Sequence, residues 1–173
     1  MKNLKVFGLV ILSLFIFSCT EEDDDGGTTD PNELTMANLA GTYNVTALSA
    51  SGSETDTFNG QTTVETFTLD GSDFNNVTIS FTEDGRISSS GTFTTTAVYT
   101  ENGTMYTEVE TSDLDISGRY SIDGSSLILS ESDGAVTTIN NFSSNGFDLF
   151  FEIIEAETDY RYEAQGTYTL ERQ

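Results

Sequence analysis

The sequence predicts an all-β protein: an antiparallel up-and-down barrel of about 8–10 strands behind one short N-terminal helix, with a β-sandwich as the alternative. Three observations carry this. Apolar and polar residues alternate with a period of two, as in Tyr43-Val45-Ala47, Val77-Ile79-Phe81 and Phe147-Leu149-Phe151-Ile153. Turn signals recur between these runs, among them Glu83-Asp84-Gly85, Asp123-Gly124, Asp133-Gly134 and Asn145-Gly146. The chain holds 12 Phe and 7 Tyr with a single Pro, so it carries the material for a core and few strand breakers.

The elements follow in order. Asp30-Pro31 with Glu33 reads as a helix start, Asp30 capping and Pro31 in the first helical position, and Gly41 stands just past the end. From Gly41 the period changes to that of a strand. Ile87, Phe93, Ala97 and Tyr99 share one parity along a Thr/Ser-rich strand, with Gly91 as a bend or bulge. The stretch 118–142 reads as three strands joined at Asp123-Gly124 and Asp133-Gly134. Tyr160, Tyr162 and Ala164 alternate in the closing strand.

Residues 1–18 read as a signal peptide. Lys2 and Lys5 precede an apolar run from Val6 to Phe17, shorter than the roughly 20 residues that a spanning helix needs. The chain's one cysteine, Cys19, follows at once, so no internal disulfide or Cys-based zinc site exists. Ordinary secretion with a chance cysteine is the plain alternative. Residues 19–30 then form an acidic tether containing Glu21, Glu22, Asp23, Asp24 and Asp25, and residues 31–173 form the β domain. With residues 1–18 removed, four basic residues face 29 acidic ones, a formal charge of −25. Such a surface repels nucleic acid.

Ile16-Phe17-Ser18-Cys19 resembles the lipobox of bacterial lipoproteins, which implies a diacylated and N-acylated Cys19 that anchors the chain in a membrane. The acids Glu21–Asp25 resemble the export tag that sends lipoproteins of some Gram-negative bacteria to the outer face of the outer membrane. A plain charged spacer is the alternative. "LAGTYNVTAL" at 39–48, "ISFTEDGRISSSGTF", "GRYSIDGSSLILS", "GFDLFFEI" and the closing "GTYTLER" resemble lipocalin-like domains, with Tyr43 where that family has Trp. The resemblance implies a cup-shaped barrel, and Arg172 of the last strand packing against Tyr43.

Chemistry is narrowed by what the processed chain lacks. Without His, Lys or a free Cys it has no Ser–His triad, no Schiff base and no thiol nucleophile. Carboxylates remain as general acids or bases, as in glycosidases, and none of them forms a distinctive pair. The expectation is a protein that is not an enzyme and uses no metal or cofactor. Residues expected to face a ligand cavity are Phe67, Phe81, Phe93 and Tyr99, with Tyr120, Leu127, Leu149 and Phe151 from the second half. Filling a small barrel is the alternative role for each. Arg86, Arg119 and Arg161 are the scarce cations that would meet an anionic headgroup. The leading expectation is binding of a small apolar or amphipathic ligand. The alternative is a surface or structural module that binds a protein or glycan through loops or a sheet face.

Overall fold

The computed structural model describes residues 30–101, 103–129 and 136–173. Residues 1–18, expected to be a signal peptide, Cys19 and the acids Glu21–Asp25 lie outside the described residues, as does the turn expected at Asp133-Gly134. Among the described residues a one-turn helix, α1 (Met36–Leu39), leads into nine strands. The first four are β1 (Gly41–Phe58), β2 (Gln61–Phe81), β3 (Arg86–Glu101) and β4 (Thr104–Asp113). Then come β5 (Ser117–Asp123), β6 (Ser126–Leu129), β7 (Val136–Ser143), β8 (Gly146–Ala156) and β9 (Tyr160–Arg172).

Every pairing is antiparallel and all nine strands belong to one sheet, where a sandwich would have two. The order is β2-β1-β9-β8-β7-β6-β5-β3-β4, and a further β2–β3 pairing closes the sheet into a ring. First and last strands are neighbours, with Tyr43 opposite Arg172.

The ring has two levels, and β3 shows where they meet. Its start, Arg86–Ser88, pairs with β5, whereas Thr92–Glu101 pairs with β4. Gly91 lies between, at φ 104°, and a Cβ there would sit 2.6 Å from the Asn76 carbonyl oxygen. Only glycine passes that close to a neighbouring backbone in that conformation. Opposite it, β2 shifts register between Ser72 and Thr78, with Asp73 and Asn76 at positive φ. The pairings of β1 shift between Asn44 and Ser49. These irregularities form a belt at which the sheet bends.

Below the belt lies the core. Tyr43, Ile79, Leu127 and Leu170 are fully buried, and Leu39 of α1 plugs this end. Aromatic rings meet edge to face there, Tyr43 with Phe147 at 4.9 Å and Phe81 with Tyr120 at 5.3 Å, an arrangement their quadrupoles favour. Arg172 closes the seam between the two chain ends. Its guanidinium lies 5.0 Å over the Tyr43 ring and donates to the Tyr43 hydroxyl, to Ala40 O at 3.1 Å and to Asn38 O. An Arg172–Tyr43 contact is what the lipocalin resemblance implies.

Two local expectations are corrected. Thr35, not Asp30, caps the helix, its Oγ1 accepting from Asn38 N at 3.1 Å. Asp30 instead closes a separate turn, accepting from Asn32 N through its side chain and from Glu33 N through its carbonyl. The helix starts later because its one turn must deliver Leu39 to the core. The β5–β6 loop is Gly124-Ser125 rather than Asp123-Gly124, because Asp123 is already paired with Ser126.

Above the belt the ring opens. Here β8, β9, β1, β2, β3 and β4 run on as a curved sheet, and β1 and β2 turn at Asn59-Gly60, with Phe58 opposite Gln61. Both loop residues have positive φ, 51° and 78°, as a two-residue type I′ turn requires.

Candidate aromatic cleft of the upper sheet

Registers across the upper sheet place one row of side chains on its inner face: Ile153, Ala164, Gly52, Phe67, Tyr99 and Tyr106, from β8 to β4. The next row outward is Glu155, Tyr162, Glu54 and Glu65. Phe67 stacks on Tyr162 with ring centroids 5.8 Å apart and planes 13° apart. Tyr99 stacks on Tyr106 at 5.4 Å. The Phe67 ring lies over Gly52, and the Phe151 ring over Gly166: a Cβ on either glycine would meet the ring at 2.5 Å. Glycines under rings let large side chains lie flat on the sheet, so the inner face stays concave instead of filling.

The result is a cleft of about 300 Å³, lined by Phe67, Ala97, Tyr99 and Tyr162 with Glu54, Glu65 and Thr66. That size is at the lower end for small-molecule sites. All four apolar or aromatic liners are half-buried.

The eight residues expected to face a cavity divide between the two levels. Phe81, Tyr120, Leu127 and Leu149 are buried in the core below the belt, and Phe93, just past Gly91 on β3, is buried at the belt itself against Phe74. Phe67, Tyr99 and Phe151 are half-buried on the inner face above it, and Phe67 and Tyr99 line the cleft. Tyr162, Glu54 and Glu65 were not singled out as lining. For Tyr162 the signal was present in its alternation with Ala164. Glu54 and Glu65 sit at inward positions in stretches with little apolar alternation, and no pattern flags them.

The three arginines expected to meet an anion lie elsewhere. Arg86 and Arg119 face each other across β3 and β5, below the belt, and Arg86 pairs with Asp84 at 3.2 Å. Arg161 pairs with Glu163 on the face opposite Tyr162. Among the described residues no group of three or more His, Cys, Asp or Glu is placed to hold a metal ion. Nor is any helix there long and apolar enough to cross a membrane.

Electrostatics follow the acidic surface. Burial, then the charges of Glu155 and Glu54, push the Tyr162 hydroxyl above the ordinary phenol range. Below the belt Tyr120 donates to Thr82 O at 2.7 Å, and burial, then Tyr43, Asp84 and Glu83, push its hydroxyl up to about 12. A pKa raised by folding means that the folded state prefers the protonated phenol. The stability from Tyr120 is thus fully present below the unfolded value of about 10 and is lost as pH rises towards about 12. Urea midpoints are expected to fall through this window, and Tyr120→Phe should flatten the fall. An equally steep fall in the variant would assign the alkaline loss to other groups.

No family model matches the chain, and comparisons with curated proteins and with solved structures return no match.

Proposed function

We propose that the chain is a lipoprotein anchored through Cys19 in the outer membrane of a Gram-negative cell, with Glu21–Asp25 directing it to the outer face. Its β domain is a lipocalin-like barrel that binds a small apolar or amphipathic ligand without catalysis. The observation that carries the binding reading is the cleft: half-buried aromatic rings held flat above a packed core. Ring closure between the first and last strands, and Arg172 lying over Tyr43, support the lipocalin-like reading.

One experiment reads anchor and ligand together. Cys19→Ala is expected to move the protein from the membrane to the soluble fraction. The released protein should enhance the fluorescence of the neutral probe N-phenyl-1-naphthylamine, and Tyr162→Ser should abolish that enhancement. Continued membrane association would overturn the anchor, and an unchanged probe signal would overturn the ligand.

A second reading has its own observation. β4 pairs only with β3 among the described strands, and it exposes Met105 (71%) and Val109 (63%). An apolar, unpaired edge suits a protein or glycan partner, with the barrel as scaffold.

A further inference from the structure

We propose that the cleft selects a cation, and that its ligand is an amphiphile with an ammonium headgroup; this rests on the ligand-binding reading above. Four observations converge on that chemistry.

The first is a conflict built into the sheet. Glu54 and Glu65 are direct cross-strand partners in the β1–β2 hairpin. Like charges placed so are destabilising, and each is half-buried, which weakens solvent screening. A cation between them turns the repulsion into two attractions. The second is the aromatic wall. Phe67, Tyr99 and Tyr162 line the same cleft as these carboxylates, and ring faces attract cations through their quadrupole, most strongly when water is excluded.

The third is the sign of the local field. Glu155 and Glu54 both oppose Tyr162, one from each neighbouring strand, so three carboxylates share its row. Burial first, then the charges of Glu155 and Glu54, favour the protonated Tyr162 phenol. The fourth is the lining itself, which contains no Lys or Arg. The nearest arginine in sequence, Arg161, points to the opposite face and is paired with Glu163. An anionic headgroup would meet only repulsion in this cleft.

A weakly hydrated ammonium fits two carboxylates and three rings better than a metal ion, which demands a closed shell of oxygen ligands. Ala97 and the rings accept the apolar part of the ligand.

Displacement of N-phenyl-1-naphthylamine from the whole chain carrying Cys19→Ala tests the proposal. The competitors are hexyltrimethylammonium, hexyl glucoside and hexanoate, which share a tail and differ in charge. About 0.15 M salt screens the general acidic surface. Hexyltrimethylammonium is expected to compete about tenfold better than hexyl glucoside, and hexanoate worst. The double substitution Glu54→Gln and Glu65→Gln should erase this preference, so that hexyltrimethylammonium and hexyl glucoside then compete equally. It removes two charges from a chain of net charge −23, so long-range attraction is almost unchanged.

Equal competition by the ammonium and the glucoside would overturn the cation selectivity while the ligand-binding reading stands. Absence of any probe signal would instead remove that reading. A preference that survives the double substitution would also overturn the proposal, because the cation would then bind elsewhere.

Discussion

Arg172→Met is expected to destabilise the domain by about 3 kcal/mol and to lower its Tm by about 10 °C, the largest loss from any single polar side chain. The guanidinium donates to Asn38 O and Ala40 O at the end of α1 and to the Tyr43 hydroxyl on β1. Hydrogen bonds from a charged donor contribute about 1.5–3 kcal/mol each, and their loss leaves part-buried acceptors unpaired. Tyr43 also loses the cation over its ring. Met keeps the length and apolar stem of Arg, so the change reports on the head group more than on packing. Lys should rescue less than half, because one ammonium cannot span three acceptors that a planar fork reaches. Gly41 belongs to the same arrangement: a Cβ there would lie 2.9 Å from Nη1 of Arg172. Equilibrium unfolding in guanidinium chloride measures the effect, and a loss below about 0.5 kcal/mol would reduce Arg172 to an ordinary surface charge.

Gly52→Ala is expected to cost about 3 kcal/mol and to abolish probe binding in the cleft. A Cβ at this position would sit 2.2 Å from the Glu163 carbonyl oxygen and 2.5 Å from Cζ of Phe67. The ring can swing aside. The carbonyl belongs to the β1–β9 ladder, where Gly52 is opposite Ala164, and cannot move without parting the strands. Even a partial adjustment displaces Phe67 from its stack on Tyr162. Gly60→Ala serves as the control. Nothing lies within 4 Å of a Cβ there, and the cost is the positive φ of 78° alone, about 1 kcal/mol. Equal losses from the two substitutions, with probe binding intact in both, would show that the close approach at Gly52 does not matter.

Much of the lower level was legible in the sequence because its apolar residues alternate openly. Val77, Ile79 and Phe81 are all buried, as are Phe147 and Leu149. The upper level was not. In residues 49–55 the inward positions are Ala50, Gly52 and Glu54, and the outward ones are Ser and Thr, so burial leaves no periodic trace. What the alternation lacks is supplied across the strands: Phe67 of β2 covers Gly52 of β1. Asn59-Gly60 is the dipeptide a type I′ turn demands, but its flanks do not alternate, and the hairpin is not among the turns expected from the sequence. β4 hides for a related reason. It lies almost wholly exposed, and its Thr and Glu positions carry no core signal. The cleft residues were half legible, Tyr99 and Tyr162 by alternation and Glu54 and Glu65 not at all, because inward carboxylates contradict the pattern that reveals strands.

The change of partner along β3 has a consequence for how the molecule opens. Below Gly91 each strand is locked between two neighbours around a shared interior, whereas above it the inner face is mostly only half-buried and the sheet ends at β4. Cooperativity should therefore break at this glycine. Amide hydrogens of β4 and of the β1–β2 hairpin tip should exchange through excursions that leave the lower interior intact, while those near Tyr43 and Ile79 wait for global unfolding. The chain then contains two folding units of unequal strength in one unbroken sheet. The weaker unit carries the cleft, so a ligand bound there would spend part of its binding free energy ordering the part with least cohesion of its own.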